Sequence, residues 1–183
     1  LLVAAVAAGV LIQTNAALQE KALTTGDQAK GQISTNVRVI EVSATNGADG
    51  DIELFNEIVK LSPGSDPIKF EQALLTINTF NTTTTLTYCG DGCIHENNFT
   101  AGYWTNATTG TENFSVEYLQ RGSNPVVGNL QRGDVVRIHY QAPRSINEDE
   151  QVRLNLIPKI GTPTLTEFIT PEVISEERVY LYP

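Results

Sequence analysis

The chain has 183 residues, 40% of them apolar and 18% charged, so it is globular and has the length of one domain with an appendage. Its net charge of −9 lies beyond Ser43, because Glu20, Asp27 and Glu41 cancel Lys21, Lys30 and Arg38 before that point. An acidic body of this kind repels nucleic acid and anionic membrane surfaces, which excludes both as partners of the main domain.

The first twelve residues, Leu1 to Ile12, carry no polar side-chain atom. As a helix they are apolar on every face and must be surrounded by something apolar. The following domain cannot supply that cover, because the helix leads away from it. The run therefore requires either a bilayer or copies of itself. Twelve apolar residues fall short of the roughly 20 that cross a bilayer, and a stretch upstream would be needed to complete a span. The sequence has no methionine, even at position 1, so a leader is expected to have been removed or the numbering to begin partway along the chain.

Helical spacing continues to about Ile33, narrowing to the stripe Leu11, Leu18, Ala22, Thr25, Ala29 and Ile33. Ala5 with Gly9, and Ala4 with Ala8, form small-x-x-x-small ridges that let helices approach closely. This favours helix packing over lipid contact. The expected bundle-forming residues are Leu1, Leu2, Val3, Ala5, Val6, Gly9, Val10, Leu11, Ile12, Leu18 and Ala22. Gly31 is the expected end of a rod roughly 50 Å long.

From about Thr35 the period changes to two. Strands are expected at Asn36–Val42, Asp51–Leu61, Ile68–Thr79, Thr82–Tyr88 and Phe114–Leu119, then at Val136–Tyr140, Val152–Leu156, Thr164–Ile169 and Val179–Tyr182. Seven to nine short strands and no second helix imply an antiparallel sandwich. The expected class is thus α+β: a filament-core helix over residues 1–34 and an outer β-sandwich over residues 35–183.

Four Asn-X-Ser/Thr acceptor sites, at Asn81, Asn98, Asn106 and Asn113, flank the two cysteines and point to an exported, glycan-bearing region. Cys89 and Cys93 are expected to form a disulfide, as export favours oxidation. The rival, a metal held with Asp91 and His95, is a poor structural zinc set. A calcium site among Asp49, Asp51 and Glu53 is weaker still, since acidic turn residues are usually solvated. Neither His95 nor His139 has a nucleophile-plus-acid context. His139 is expected to face outward with Arg137, and Glu148-Asp149-Glu150 to form a solvated turn. No phosphate-binding glycine loop is present. No catalytic residue, metal or cofactor is expected, and the chain does not read as an enzyme.

The run from Leu2 to Thr14, its continuation Leu18-Gln19-Glu20-Lys21-Ala22 to Thr25-Gly26, and the stretch Gly161–Pro171 with the ending Val179-Tyr180-Leu181 resemble the archaeal flagellins, or archaellins. The resemblance implies a structural subunit of the archaeal motility filament, the archaellum, on the cell surface. It further implies a type IV pilin-like leader, membrane retention before assembly, helices bundled with identical or homologous subunits in a helical polymer, and immunoglobulin-like β-sandwiches outside. A motor and an assembly platform would be its partners, together with N-linked glycans. Family members usually begin about a dozen residues earlier. Two alternatives stay open: an archaeal adhesion pilin sharing the helix, and a membrane-anchored binding module with Tyr103 and Trp104 in a ligand loop.

Overall fold

The computed structural model describes residues 2–45, 50–90 and 112–182. A single helix, α1, runs over Leu2–Ser34. The chain then enters β1 (Val37–Thr45), β2 (Ile52–Leu61), a short β3 (Ile68–Lys69), β4 (Ala73–Asn78) and β5 (Thr83–Tyr88). After residue 112 follow β6 (Asn113–Gln120), a short β7 (Asn129–Leu130), β8 (Val135–Ile146), β9 (Gln151–Pro158), β10 (Thr164–Ile169) and β11 (Arg178–Tyr182).

Nine strands form one sheet in the order β10-β9-β4-β5-β6-β8-β2-β1-β11, and β3 pairs separately with β7. Strict alternation decides which side of each strand is buried. On β9, Val152, Leu154 and Leu156 point inward while Gln151 and Arg153 are exposed. On β2, Phe55, Glu57, Val59 and Leu61 point inward. The sheet wraps round this core. Phe55 of β2 stacks on Tyr140 of β8 at 5.6 Å and also meets Phe168 of β10 at 6.3 Å, although β10 lies six positions from β2 in the strand order. Phe70, Tyr88 and Phe114 fill the other part of the core with rings 5.8–6.4 Å apart.

The structure differs from the sequence expectation in three places. Ile68–Thr79 is not one strand, because a 3-10 turn at Phe70–Gln72 separates β3 from β4 and buries Phe70. The eighth strand runs on past Tyr140 to Ile146, and Pro143 is accommodated where the pairing with β2 shifts register between Ile52 and Leu54. The sheet is not wholly antiparallel either. β6 begins beside the end of β5, so both run the same way through Thr87–Asn113 and Tyr88–Phe114.

Two ends of the head follow from the register. Leu61 of β2, Val135 of β8, Pro158 of β9 and Thr164 of β10 lie near the helix, whereas Ile52, Ile146, Gln151 and Ile169 lie at the far end.

Candidate assembly interface

The helix outlasts Gly31, whose carbonyl still accepts the Thr35 amide at 3.0 Å. Gly31 is the one helix position, among those described, that is buried; it lies against Asp66 and Ile160 of the head. A clamp begins immediately after it. Thr35 accepts the Thr162 amide at 2.9 Å, Ser65 Oγ accepts the Asn36 amide at 3.0 Å, and Thr164 Oγ1 donates to the Val37 carbonyl at 2.9 Å. Gly161 makes the close approach possible. Its φ is +120°, and a Cβ there would stand 2.6 Å from the Thr35 carbonyl oxygen.

Ahead of Gly31 every described side chain of the helix is exposed. Val3 is 84% exposed, Ile12 72% and Ile33 79%, with Val6, Val10, Leu11, Leu18 and Leu23 open as well. Gly9 has no heavy atom within 4 Å of where a Cβ would stand, so its ridge is free for a second helix. Full burial of a valine, leucine or isoleucine contributes about 1.5–3 kcal/mol, and eight such side chains stand exposed. The helix hydroxyls do not oppose that burial. Thr14 donates to the Val10 carbonyl at 2.8 Å, and Thr24 and Thr25 both donate to that of Lys21, so each satisfies itself within the helix. No helix of the described residues is long and apolar enough to cross a membrane.

Of the expected interface residues, Val3, Val6, Gly9, Val10, Leu11, Ile12, Leu18 and Ala22 stand exposed on α1. Leu2 and Ala5 also lie on the helix, and Leu1 is outside the described residues.

The other sites divide between described and undescribed segments. Asn81 is exposed in the turn between β4 and β5, where its carbonyl accepts Arg144 Nε at 2.8 Å and Thr82 Oγ1 at 3.1 Å. Asn113 starts β6 half-buried, accepts Thr87 Oγ1 at 3.0 Å, and has its acceptor-site partner Ser115 buried. Asn98, Asn106, Cys93, Asp91, His95, Tyr103 and Trp104 lie outside the described residues, as does Asp49. Cys89 carries no free thiol. Asp51 is half-buried, and Glu53 is tied to Ser145 and Gln141. Among the described residues no three His, Cys, Asp or Glu side chains gather to hold a metal ion.

Three polar features depart from the expectation or escaped it. His139 lies on the same face as Arg137 but is buried, 2.5 Å from Asn56 Oδ1 and 3.2 Å from Glu117. The alternation gives the face; what it omits is that Asn56 and Glu117, on the two flanking strands, close on the ring there. The hydrogen bond from His139, opposed by burial and aided by the charges of His139 and Arg137, holds the Glu117 carboxyl below its usual range. Burial holds the His139 imidazole below its own, against the pull of Glu117.

The loop Glu148-Asp149-Glu150 is only partly solvated. Glu148 and Asp149 are exposed, but Glu150 pairs with Arg144 and accepts the Phe80 amide at 3.2 Å. Burial raises the Glu150 pKa, yet the bonds from Arg144, Phe80 and Asn147 outweigh it and hold the carboxyl low.

Glu57 was missed altogether. It is 1% exposed, burial pushes its carboxyl up to about 7, and neither its Oε2 nor the buried Tyr140 hydroxyl has a hydrogen-bond partner among the described residues. Its phase was readable, since it falls between Phe55 and Val59 on the inward side of β2.

The geometry of a closed β head with an uncovered apolar rod has matches among known proteins. The profile of the archaeal-type flagellins matches residues 1–168. Flagellin B1 of Methanococcus voltae is 30% identical over 194 residues, covering 98% of this chain and 88% of that protein. Flagellin B5 of Pyrococcus abyssi is 26% identical over 205 residues, covering 98% and 91%. Among solved structures, an archaeal flagellin of Methanocaldococcus jannaschii has a TM-score of 0.70 at 18% identity, covering 80% of this chain and 96% of that one. A subunit of the archaeal flagellum of Methanospirillum hungatei has 0.65 at 16%, covering 94% and 91%. These likenesses show the fold, a single helix followed by a large, mostly antiparallel sheet.

Proposed function

The chain belongs to the archaeal-type flagellin family, and from that premise we propose how its parts serve the filament. It is a structural subunit of the archaellum, a cell-surface extracellular appendage, and not an enzyme. Residues 1–34 form the core segment, packed against the same segment of identical or homologous subunits. Residues 35–183 form an outer domain of immunoglobulin-like sandwich type. The exposed apolar rod on a head with its own complete core carries this reading. Before assembly the rod is kept in the membrane, and the motor and assembly platform act on the polymer from the cell.

Heterologous packing, in which each surface meets a different surface on its neighbour, keeps such an assembly open. The outer face carries N-linked glycan; of the two described acceptors Asn81 is the more accessible, exposed in a turn with the bonds from Thr82 and Arg144 falling on its carbonyl oxygen. Cys89 closes a short loop with Cys93.

Shearing the cell surface and examining the material by electron microscopy and mass spectrometry tests the reading. Thin filaments containing this chain, with glycan mass on one or more of its acceptor peptides, are expected, as is loss of swimming on deletion. Filaments without the chain, or swimming unaffected by its deletion, would contradict it.

A further inference from the structure

The head divides its charge between its two ends. Arg38, Lys60, Lys69, Arg132 and Lys159 sit at the end next to the helix, as the register and the Arg132–Ser65 hydrogen bond place them. Carboxylates are fewer there, and one of them, Asp134, is buried with its oxygens taken by the amides of Gly122 and Gln131. The far end carries Glu148, Asp149, Glu172, Glu176 and Glu177, all exposed, against Arg178, also exposed, and Arg144, already committed to Glu150.

At the helix end the charge is concentrated in a cleft. Between β1 and β10 an opening of about 690 Å³ is lined by Arg38, Lys60, Val39, Leu165 and Tyr182, among others. Arg38 and Lys60 stand directly opposite one another across the β1–β2 ladder. Like charges so placed repel. Glu41, opposite Ile58 on the same face, pairs with neither, and no carboxylate of the described residues lies within 4.0 Å of either cation. The arrangement lacks its counter-charge among the described residues.

The far end supplies the opposite charge. Phe80, 89% exposed, shares a rim with Glu148 and Asp149, to which the bond from its amide to Glu150 fixes it. This rim borders an opening of about 700 Å³ that Arg144 and Arg153 also line, each already paired with a glutamate, whereas the cleft joins two bases to aliphatic and tyrosine walls. A head cannot satisfy itself in this way. Lys60 pairs with Val135 and Ile52 with Ile146 on the same two strands, so the acidic loop and the cleft are about 26 Å apart at the usual strand rise.

On the reading that the chain is a filament subunit, we propose that the Phe80–Glu148–Asp149 rim of one head, in copies without glycan on the adjoining Asn81, docks in the Arg38–Lys60 cleft of a neighbouring copy. The two surfaces differ, so the contact is heterologous and repeats without closing. Opposite charges orient the incoming head and fix its register, while the helices supply the main cohesion.

Sheared native filaments treated with a carbodiimide, which joins an amine to a touching carboxylate without a spacer, test this directly. Digestion and mass spectrometry should yield Lys60 coupled to Glu148 or Asp149. The filament yield should fall in R38E/K60E and be restored when E148K/D149K is added to that variant. Filaments that contain the wild-type chain but couple Lys60 elsewhere, or nowhere, overturn the docking proposal alone, a free anion in the cleft being one way to that result. Absence of the chain from the filaments overturns the subunit reading, and the docking with it.

Discussion

Glu57 sets the head's response to pH. Its carboxyl is pushed up to about 7 in the fold against an unfolded value near 4.3, so the folded state holds the proton more tightly. Its contribution is complete below the unfolded value and is lost as pH rises through the folded one. A shift of that size corresponds to roughly 4 kcal/mol. Relative to Glu57→Gln, the wild-type head should therefore lose melting temperature between about pH 4.5 and 7, while His139, held low by burial, pulls the other way in both proteins; a wild-type-to-variant difference that does not change with pH would contradict the assignment. Gly161 acts through sterics instead. Gly161→Ala places a Cβ against the Thr35 carbonyl at a φ that L residues avoid, so it should cost about 1–3 kcal/mol, read by denaturant unfolding. Neither effect could be read from the residue type alone. The phase of Glu57 was present in the alternation of β2, but its complete burial depends on the distant strands that close the core, and the role of Gly161 depends on a contact with Thr35.

The helix was the most legible element, because an unbroken apolar run constrains its surroundings whatever the fold of the rest. The long strands were legible for a related reason: Val152-Leu154-Leu156 and Val136-Ile138-Tyr140 alternate cleanly on an antiparallel sheet. What local pattern could not supply was the parallel pairing of β5 with β6, which depends on how the intervening chain returns, and the 3-10 turn at Phe70, whose ring is fixed by Tyr88 and Phe114. The site divides likewise. The apolar helix face was readable, whereas the cleft between β1 and β10 exists only because the sheet wraps round. On the helix, Leu11→Asp should abolish filaments while leaving the head folded, since an unpaired charge within a helix bundle costs several kcal/mol. Electron micrographs of the cell surface and circular dichroism of the extracted chain check both halves. Filaments of normal length would place Leu11 outside the interface.

At the scale of the molecule, the core lies wholly in the β head, from Val37 to Ile174, and the helix adds nothing to it. A fragment of residues 35–183 should thus fold and remain monomeric at moderate salt, whereas the full chain should self-associate unless detergent is present; sedimentation velocity distinguishes the two. The division of labour is physical. Apolar helix faces give cohesion without direction, and the charged ends of the head give direction with little cohesion. The central claim is that the exposed rod finds its cover in other rods. Electron cryomicroscopic reconstruction of native filaments measures this most directly. The account predicts helices bearing Val3 to Ile33 packed together along the filament axis, with the β heads outside. A filament joined only through its heads, with those helices lying in solvent, would contradict it.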